Sequence, residues 1–414
     1  MRSRWRGARH GRRVTVIGVV VVVVLGISAA SVMAAEGLLG GGTNDWPYAP
    51  SGRAPVLAAV GDISCQPGEA VETEKTSDLC TGDRWSAQVA TANQIESIKP
   101  DLVALLGDLQ YQVGRYEDFT GSFDHTYGAF KFLQRPSPGN HEFYDRGTPG
   151  PGAKGETGDD GYGYFDYFNG YQLNSDGSPA THTFADKFAS GSFTQPQPRP
   201  QGQAGDFGTT GNGWYSYNLG HWHLIALNIE CSVEPGGCDP QGTWLASETK
   251  WLSQDLAANH AQCTLAYWHQ PTFSSTASPF TSDSAEGQAA DAWWKLLYAH
   301  RADVVLNGHD HVYSRFTPMN PAGQADARNG IREFIIGTGG ESLDTVLPST
   351  PNLQAYDDQH YGVMKMKLGP DGYVWDYETS LENAAAPAGT PASFSDTGSA
   401  QCHGARGGDW GRHS

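Results

Sequence analysis

Asp101-Leu102-Val103-Ala104-Leu105-Leu106-Gly107-Asp108-Leu109-Gln110-Tyr111 is an apolar run that stops abruptly at Gly-Asp. A short apolar segment bounded by turn chemistry fits a strand buried on both faces. The glycine at its end lets the backbone turn sharply with little steric cost. The same pattern occurs upstream, where Val56 to Val60 runs into Gly61-Asp62. Three more segments carry polar donors after an apolar run or a tight Pro/Gly turn: Gly139-Asn140-His141-Glu142, Trp268-His269 and Gly308-His309-Asp310-His311. In α/β proteins ligands gather beyond the carboxyl ends of strands. The series therefore predicts an α/β fold whose site is assembled from strand ends.

Further strands are expected at Cys263–Trp268, Val304–Leu306, Ile331–Ile336 and Gly362–Leu368, with Tyr373–Tyr377 closing a hairpin. Trp214–Leu219 and His223–Ile229 read as a strand pair turning at Gly220-His221. Apolar periodicity predicts helices at Trp85–Ile98 behind a cap at Asp83, at Trp244–Asn259 and at Ala290–His300, with Tyr116–Leu133 helical in part. Residues 145–212 are rich in Gly, Pro, Ser, Asp and Gln and read as a long surface insertion around an aromatic island at Tyr162–Tyr171.

The first 35 residues read as an export signal. Six arginines precede an uncharged apolar run, and Val32-Met33-Ala34 offers small residues for cleavage. The alternative is an uncleaved anchor, since a run of this length could just span a bilayer. A Gly/Pro-rich linker at 36–54 leads into one catalytic domain at 55–383, followed by a low-complexity tail at 384–414. Removing the six arginines takes the basic count from 27 to 21 against 45 acidic side chains, and the formal charge from -18 to -24. So acidic a surface repels nucleic acid backbones, but bound cations would invert the field locally for a small anionic substrate. All six cysteines follow the export segment, which suggests three disulfides in an oxidising compartment. Nearest-neighbour pairing gives Cys65–Cys80 and Cys231–Cys238, leaving Cys263–Cys402 to pin the tail.

The five donor segments supply carboxylates, an amide, a phenol and several imidazoles. That mixture suits borderline ions such as Fe, Zn or Mn, whereas Ca and Mg prefer all-oxygen sites. Two ions about 3.5–4 Å apart would clamp the attacking and leaving oxygens of a phosphoryl transfer. No G-x-S-x-G nucleophile elbow is present.

Taken together, the segments resemble the calcineurin-like metallophosphoesterases over about 250 residues, from Asp62 to His311. Within that superfamily GDLQY (107–111), GNHE (139–142), WHQP (268–271) and GHDHVYSR (308–315) are similar to the purple acid phosphatases, and GWYSYNLGHWHLIALN (213–228) to their secreted bacterial members. The resemblance implies a four-layer αββα sandwich, two mixed β-sheets flanked by helices. It implies one metal held by Asp62, Asp108, Tyr111 and His311, with iron favoured there. A second metal, Zn, Mn or Fe, would be held by Asp108, Asn140, His269 and His309, so that Asp108 bridges. It gives His141 a catalytic rather than a ligating role, as a phosphate contact or leaving-group acid beside Asn140. The implied activity is hydrolysis of small phosphate monoesters by a metal-bound hydroxide. The alternatives are a secreted phosphodiesterase or nucleotidase with the same site, and a cell-envelope binding protein that has lost turnover. Two departures stand out. Ser64 occupies a position where many superfamily members have histidine, and the purple acid phosphatases share that departure. The extra N-terminal β domain of the larger plant-type members is not expected here. Among the other polar residues, His221 and His223 read as structural and His360 as a loop residue. Tyr313 and Arg315 are candidates to support the site, and Phe165, Tyr167 and Phe168 read as packing beneath the insertion or as a cleft wall.

Overall fold

The computed structural model describes residues 53–66, 83–144, 161–169, 213–233, 237–276, 284–382 and 389–403. The export segment, most of the linker and the insertion, the end of the tail and Cys80 lie outside them. Among the described residues thirteen strands form two sheets. β1 (Val56–Val60), β2 (Leu102–Leu106) and β3 (Gln134–Ser137) run parallel and join β11 (His360–Leu368), β12 (Gly372–Glu382) and β13 (Ser395–Gln401) in the order β13-β12-β11-β1-β2-β3. The second sheet runs β10-β8-β9-β7-β6-β5-β4. Its members are β4 (Tyr215–Leu219), β5 (Trp222–Ala226), β6 (Cys263–Tyr267), β7 (Val304–Asn307), β8 (Tyr313–Phe316), β9 (Arg332–Ile336) and β10 (Leu353–Asp357). Here β5, β6, β7 and β9 are mutually parallel.

Strand alternation sorts the core into layers. Along β6 and β7, Leu265, Tyr267, Val304 and Leu306 join the core that also holds Leu57, Ala59 and Leu105 of the first sheet. Their neighbours Ala266 and Val305 point the other way, into a second core with Trp244, Leu252, Trp293, Trp294 and Leu297. Those residues belong to helices Thr243–Ala258 and Ala285–Ala299, numbered α3 and α4 below. Helix α1 (Asp83–Ile98) packs across β11 and β12 on the outside of the first sheet. The order is helix, sheet, sheet, helix. Such burial on both faces is why β1 and β2 are continuous apolar runs. Truncating a fully buried side chain such as Leu265 to alanine would cost about 2–5 kcal/mol.

Helix α2 (Tyr162–Asn169) is formed by the aromatic island. Tyr164 and Phe165 are fully buried, and Tyr167 stacks on Phe119 with ring centroids 5.0 Å apart. The island is therefore part of the main core. The run 116–133 is a chain of short helical turns that a non-helical Phe130 interrupts.

Several expectations are corrected. Ser395–Gln401, read as low-complexity tail, is β13, paired antiparallel along β12. It is an edge strand of Ser, Asp, Thr and Gly with no apolar alternation to reveal it. Tyr313 and Arg315 do not support the strand-end donors. Tyr313 Oη donates to Asp396 Oδ2 at 2.6 Å, and Arg315 holds the same carboxylate with Nε at 2.6 Å and Nη2 at 3.1 Å. Both fasten β13 to the second sheet. His360 is no loop residue: it opens β11, is buried, and sits between Asp357 and the Pro391 carbonyl. His223 is structural, bracketed by Asn218 and Asp255. Disulfides join Cys231 to Cys238 and Cys263 to Cys402, and no described cysteine is free. No helix among the described residues is long and apolar enough to cross a membrane.

Candidate metal centre

All seven expected donors stand on, or just beyond, loops that leave the carboxyl ends of parallel strands. Asp62 follows β1, Asp108 and Tyr111 follow β2, and Asn140 follows β3. From the second sheet, His269 follows β6 while His309 and His311 follow β7. Three of them have left-handed backbone: Asp62 (φ 60), Asp108 (φ 47) and His309 (φ 71). Non-glycine residues in this region are uncommon, and such strain gathers at functional sites. Glycines beside them allow close approach. A Cβ on Gly107 would lie 2.5 Å from His269 Nδ1, one on Gly139 2.4 Å from Asp108 Oδ1, and one on Gly308 2.5 Å from Asp62 Oδ2.

The donors form two groups that share one atom. In the first, Tyr111 Oη lies 3.0 Å from Asp62 Oδ1, 3.1 Å from Asp108 Oδ2 and 3.2 Å from His311 Nε2. In the second, Asn140 Oδ1 lies 3.1 Å from both His269 Nε2 and His309 Nδ1. The shared atom is Asp108 Oδ2, which is also 3.1 Å from His269 Nε2.

Surrounding hydrogen bonds decide what each donor presents. His269 Nδ1 donates to the Leu106 carbonyl and His311 Nδ1 to the Ser342 carbonyl, both at 2.8 Å. A carbonyl only accepts, so these contacts fix the tautomers and leave Nε2 of each neutral ring as a lone pair. Each carboxylate is divided in the same way. Asp62 Oδ2 accepts from His309 N at 2.9 Å and Asp108 Oδ1 from His141 N at 2.8 Å. Their other oxygens face the groups described above.

The arrangement fits two cations. With its Nδ1 proton committed, a neutral His269 turns the lone pair of Nε2 toward Asn140 Oδ1 and Asp108 Oδ2, which are both acceptors. In the first group a single phenol proton faces three acceptors. Lone pairs gathered in this way repel unless a proton or a cation lies among them. Asp62 and Asp108 are buried, and neither pairs with a Lys or Arg among the described residues. The set is oxygen and imidazole nitrogen without thiolate, which suits borderline ions.

Electrostatics follow from this crowding. Burial opposes ionisation of Asp108, yet His269 and His141 beside it hold its carboxyl far below the usual range. Burial would push His269 down, but the Asp108 charge lifts it to about 10. His309 is driven to about 3 by burial and then by the charge of His269. Burial also lowers His141.

His141 is placed beside the two groups and outside both. Its Nδ1 donates to the Gln112 carbonyl at 2.7 Å, its Nε2 is 3.8 Å from Asp108 Oδ2, and its ring packs 4.1 Å from that of Tyr111. Three residues essential to this geometry carried no role in the sequence reading. Glu142 is buried and accepts from Gly139 N at 2.8 Å, Leu109 N at 2.9 Å and Gln110 N at 3.1 Å, tying the loop after β3 to the loop after β2. Burial first, then Asp108, raises its carboxyl to about 8. Asp344 accepts from His311 N at 3.0 Å, and Tyr144 Oη receives Asn140 Nδ2 at 2.5 Å. Glu142 lay within the GNHE string, where its signal was available.

Comparison with known proteins places these residues in a family context. A family model described as calcineurin-like phosphoesterase matches residues 56–313, a span that holds all seven donors and His141. Purple acid phosphatase 15 of Arabidopsis thaliana is 29% identical over 142 residues, which are 32% of this chain and 23% of that protein. An uncharacterised protein of Mycobacterium tuberculosis is 24% identical over 322 residues, 72% of this chain and 53% of its own length. Among solved structures, a purple acid phosphatase from yellow lupin seeds superposes with a TM-score of 0.53 at 18% identity, covering 84% of this chain and 54% of that one. The chain thus spans about half or less of the length of these relatives. The superposition bears on the fold, a pair of mixed sheets flanked by helices.

Proposed function

The chain belongs to the calcineurin-like phosphoesterase family, and from that premise we propose that it is an exported, purple acid phosphatase-like hydrolase of small phosphate monoesters. One observation carries the reading: a single oxygen, Asp108 Oδ2, is shared by the Tyr111 group and the His269 group at 3.1 Å from each. Asp62, Asp108, Tyr111 and His311 would hold one cation, with iron favoured by the anionic phenolate. Asp108, Asn140, His269 and His309 would hold the other, as Zn, Mn or Fe. Such a pair supplies Lewis-acid charge for a phosphate and a water made acidic enough to serve as nucleophile.

The residues of the chain do the rest. Left-handed turns at Asp62, Asp108 and His309 and the glycines beside them hold the donors rigidly, so that little reorganisation is needed during reaction. His141, anchored through Nδ1 on the Gln112 carbonyl, keeps its Nε2 3.8 Å from the shared Asp108 Oδ2. Protonated there, it offsets charge on the departing oxygen. Export rests on the arginine-rich, apolar segment at 1–35 and is supported by the disulfides Cys231–Cys238 and Cys263–Cys402 among the described residues, which suit an oxidising compartment.

The test is metal analysis of the purified chain, with p-nitrophenyl phosphate and its bis-ester assayed in parallel on wild type and Asp108→Asn. Two metals per chain and faster monoester hydrolysis are expected, with metal content falling to one or none and activity abolished in the variant. Near-normal hydrolysis by Asp108→Asn, or a wild type that prefers the diester, would overturn the proposal.

A further inference from the structure

Asn140 is the one amide among the seven donors, and both of its ends are engaged. Oδ1 faces His269 Nε2 and His309 Nδ1, while Nδ2 lies 2.5 Å from Tyr144 Oη. An amide nitrogen can only donate, so here the phenol oxygen is the acceptor. Tyr144 therefore keeps its own O–H, and no acceptor for that proton is found among the described residues.

The location of this proton matters. Tyr144 is half-buried, so the residue is not sealed in the core. Its ring stands edge-on to His141 with centroids 4.6 Å apart, and the His141 ring in turn lies 4.1 Å from Tyr111. The three rings form one contiguous series that ends at Tyr111 in the first donor group. Tyr144 thus sits between the amide of the second group and the imidazole given to the phosphate and its leaving oxygen. None of the donors nor His141 is a lysine or an arginine, so a hydroxyl beside His141 would add a second side-chain hydrogen-bond donor for a phosphate's outer oxygens.

We propose that Tyr144 is a substrate-binding residue that donates its phenolic hydrogen to a non-bridging phosphate oxygen while Asn140 Nδ2 occupies its own oxygen. The inference rests on the two-cation reading given above. It also gives the pairing of Asn140 with Tyr144 a consequence. As long as the amide turns Oδ1 toward the cation side, Nδ2 must donate to the phenol. The phenol proton is thereby directed away from Asn140.

The test uses the full exported chain loaded with metal. Orthophosphate is titrated calorimetrically into wild type and Tyr144→Phe, with metal content, thermal melting and p-nitrophenyl phosphate kinetics measured on both. Removing a hydrogen bond to a charged acceptor should weaken orthophosphate binding by about 10-fold or more. Two cations per chain and the wild-type melting temperature should be retained. Unchanged orthophosphate affinity would overturn the proposal. So would loss of a cation in Tyr144→Phe with affinity preserved once metal is saturating, because Tyr144 would then serve only to prop Asn140. A wild type that holds fewer than two cations is a different result: it removes the reading beneath and this inference with it.

Discussion

Gly139→Ala is the sharpest steric test of how the donors are held. The residue has φ -123 and ψ -175, extended backbone that alanine adopts freely, so any effect must come from space. A Cβ there would lie 2.4 Å from both Asp108 N and Asp108 Oδ1 and 2.8 Å from His269 Cδ2. Ordinary contact begins near 3.4 Å, so the atoms must separate by about 1 Å. Asp108 cannot yield by a simple rotation, because Oδ1 is tied to His141 N and the other clashing atom is backbone. Shifting the residue by about 1 Å removes Oδ2 from its 3.1 Å distance to Tyr111 or to His269. Overpacking should cost about 1–3 kcal/mol of stability, and a misplacement of this size about 10²-fold in kcat/KM. The assay is kcat/KM for p-nitrophenyl phosphate with metal content and thermal melting. Gly237→Ala is the control: φ is +62 but nothing among the described residues lies within 4 Å of the added Cβ. That change should cost about 1–2 kcal/mol in backbone strain and leave turnover unaltered. A Gly139→Ala protein with wild-type turnover and both cations would refute the argument that close packing against glycine fixes the shared oxygen.

The remaining expectations use other parts of the molecule. His141→Ala should keep both cations and lose about 10²–10⁴-fold in rate, less for substrates with good leaving groups; loss of a cation would show that the role is wrong. Iron-loaded protein should show a visible phenolate-to-iron band that Tyr111→Phe bleaches, because Tyr111 Oη is the phenol oxygen that meets Asp62, Asp108 and His311; a variant that stays coloured removes the phenolate assignment. Cys402→Ser opens a loop with a sequence separation of 139 and should destabilise by on the order of 2–5 kcal/mol; an unchanged melting temperature would mean that the β12 ladder and Asp396 secure β13 without the disulfide.

Legibility in the sequence followed burial. β1 and β2 were readable to the residue because both faces of each are covered, so every position had to be apolar. β3 was not, because Gln134-Arg135-Pro136-Ser137 is polar yet buried. Its Pro136 is tolerated because β3 is the sheet's edge, and Arg135 lies over the ring of Tyr217 on the other sheet. Nothing local announces such a partner. The misreading of Tyr313 and Arg315 has a related cause. They follow His311 closely in sequence, but a strand advances about 3.3 Å per residue, and β8 carries them quickly away from the donor loops to Asp396.

The donor loops were legible for a different reason. A site built from strand ends needs only that each apolar run stop at a turn and that a donor stand there. Both conditions are written locally, in Gly61-Asp62, Gly107-Asp108 and Gly308-His309. The residues that fix the loops against one another are written nowhere locally. Glu142 binds the amides of Leu109 and Gln110, more than thirty residues earlier. Asp344 binds the amide of His311, on a loop after a different strand. Tyr144 is close in sequence to Asn140, but its role depends on which way the amide turns, and the end of that amide opposite Tyr144 faces His269 and His309 of the other sheet. The first group of residues determines that donors meet. The second determines which atom of each donor faces inward, and in this molecule that choice makes Asp108 Oδ2 common to both groups.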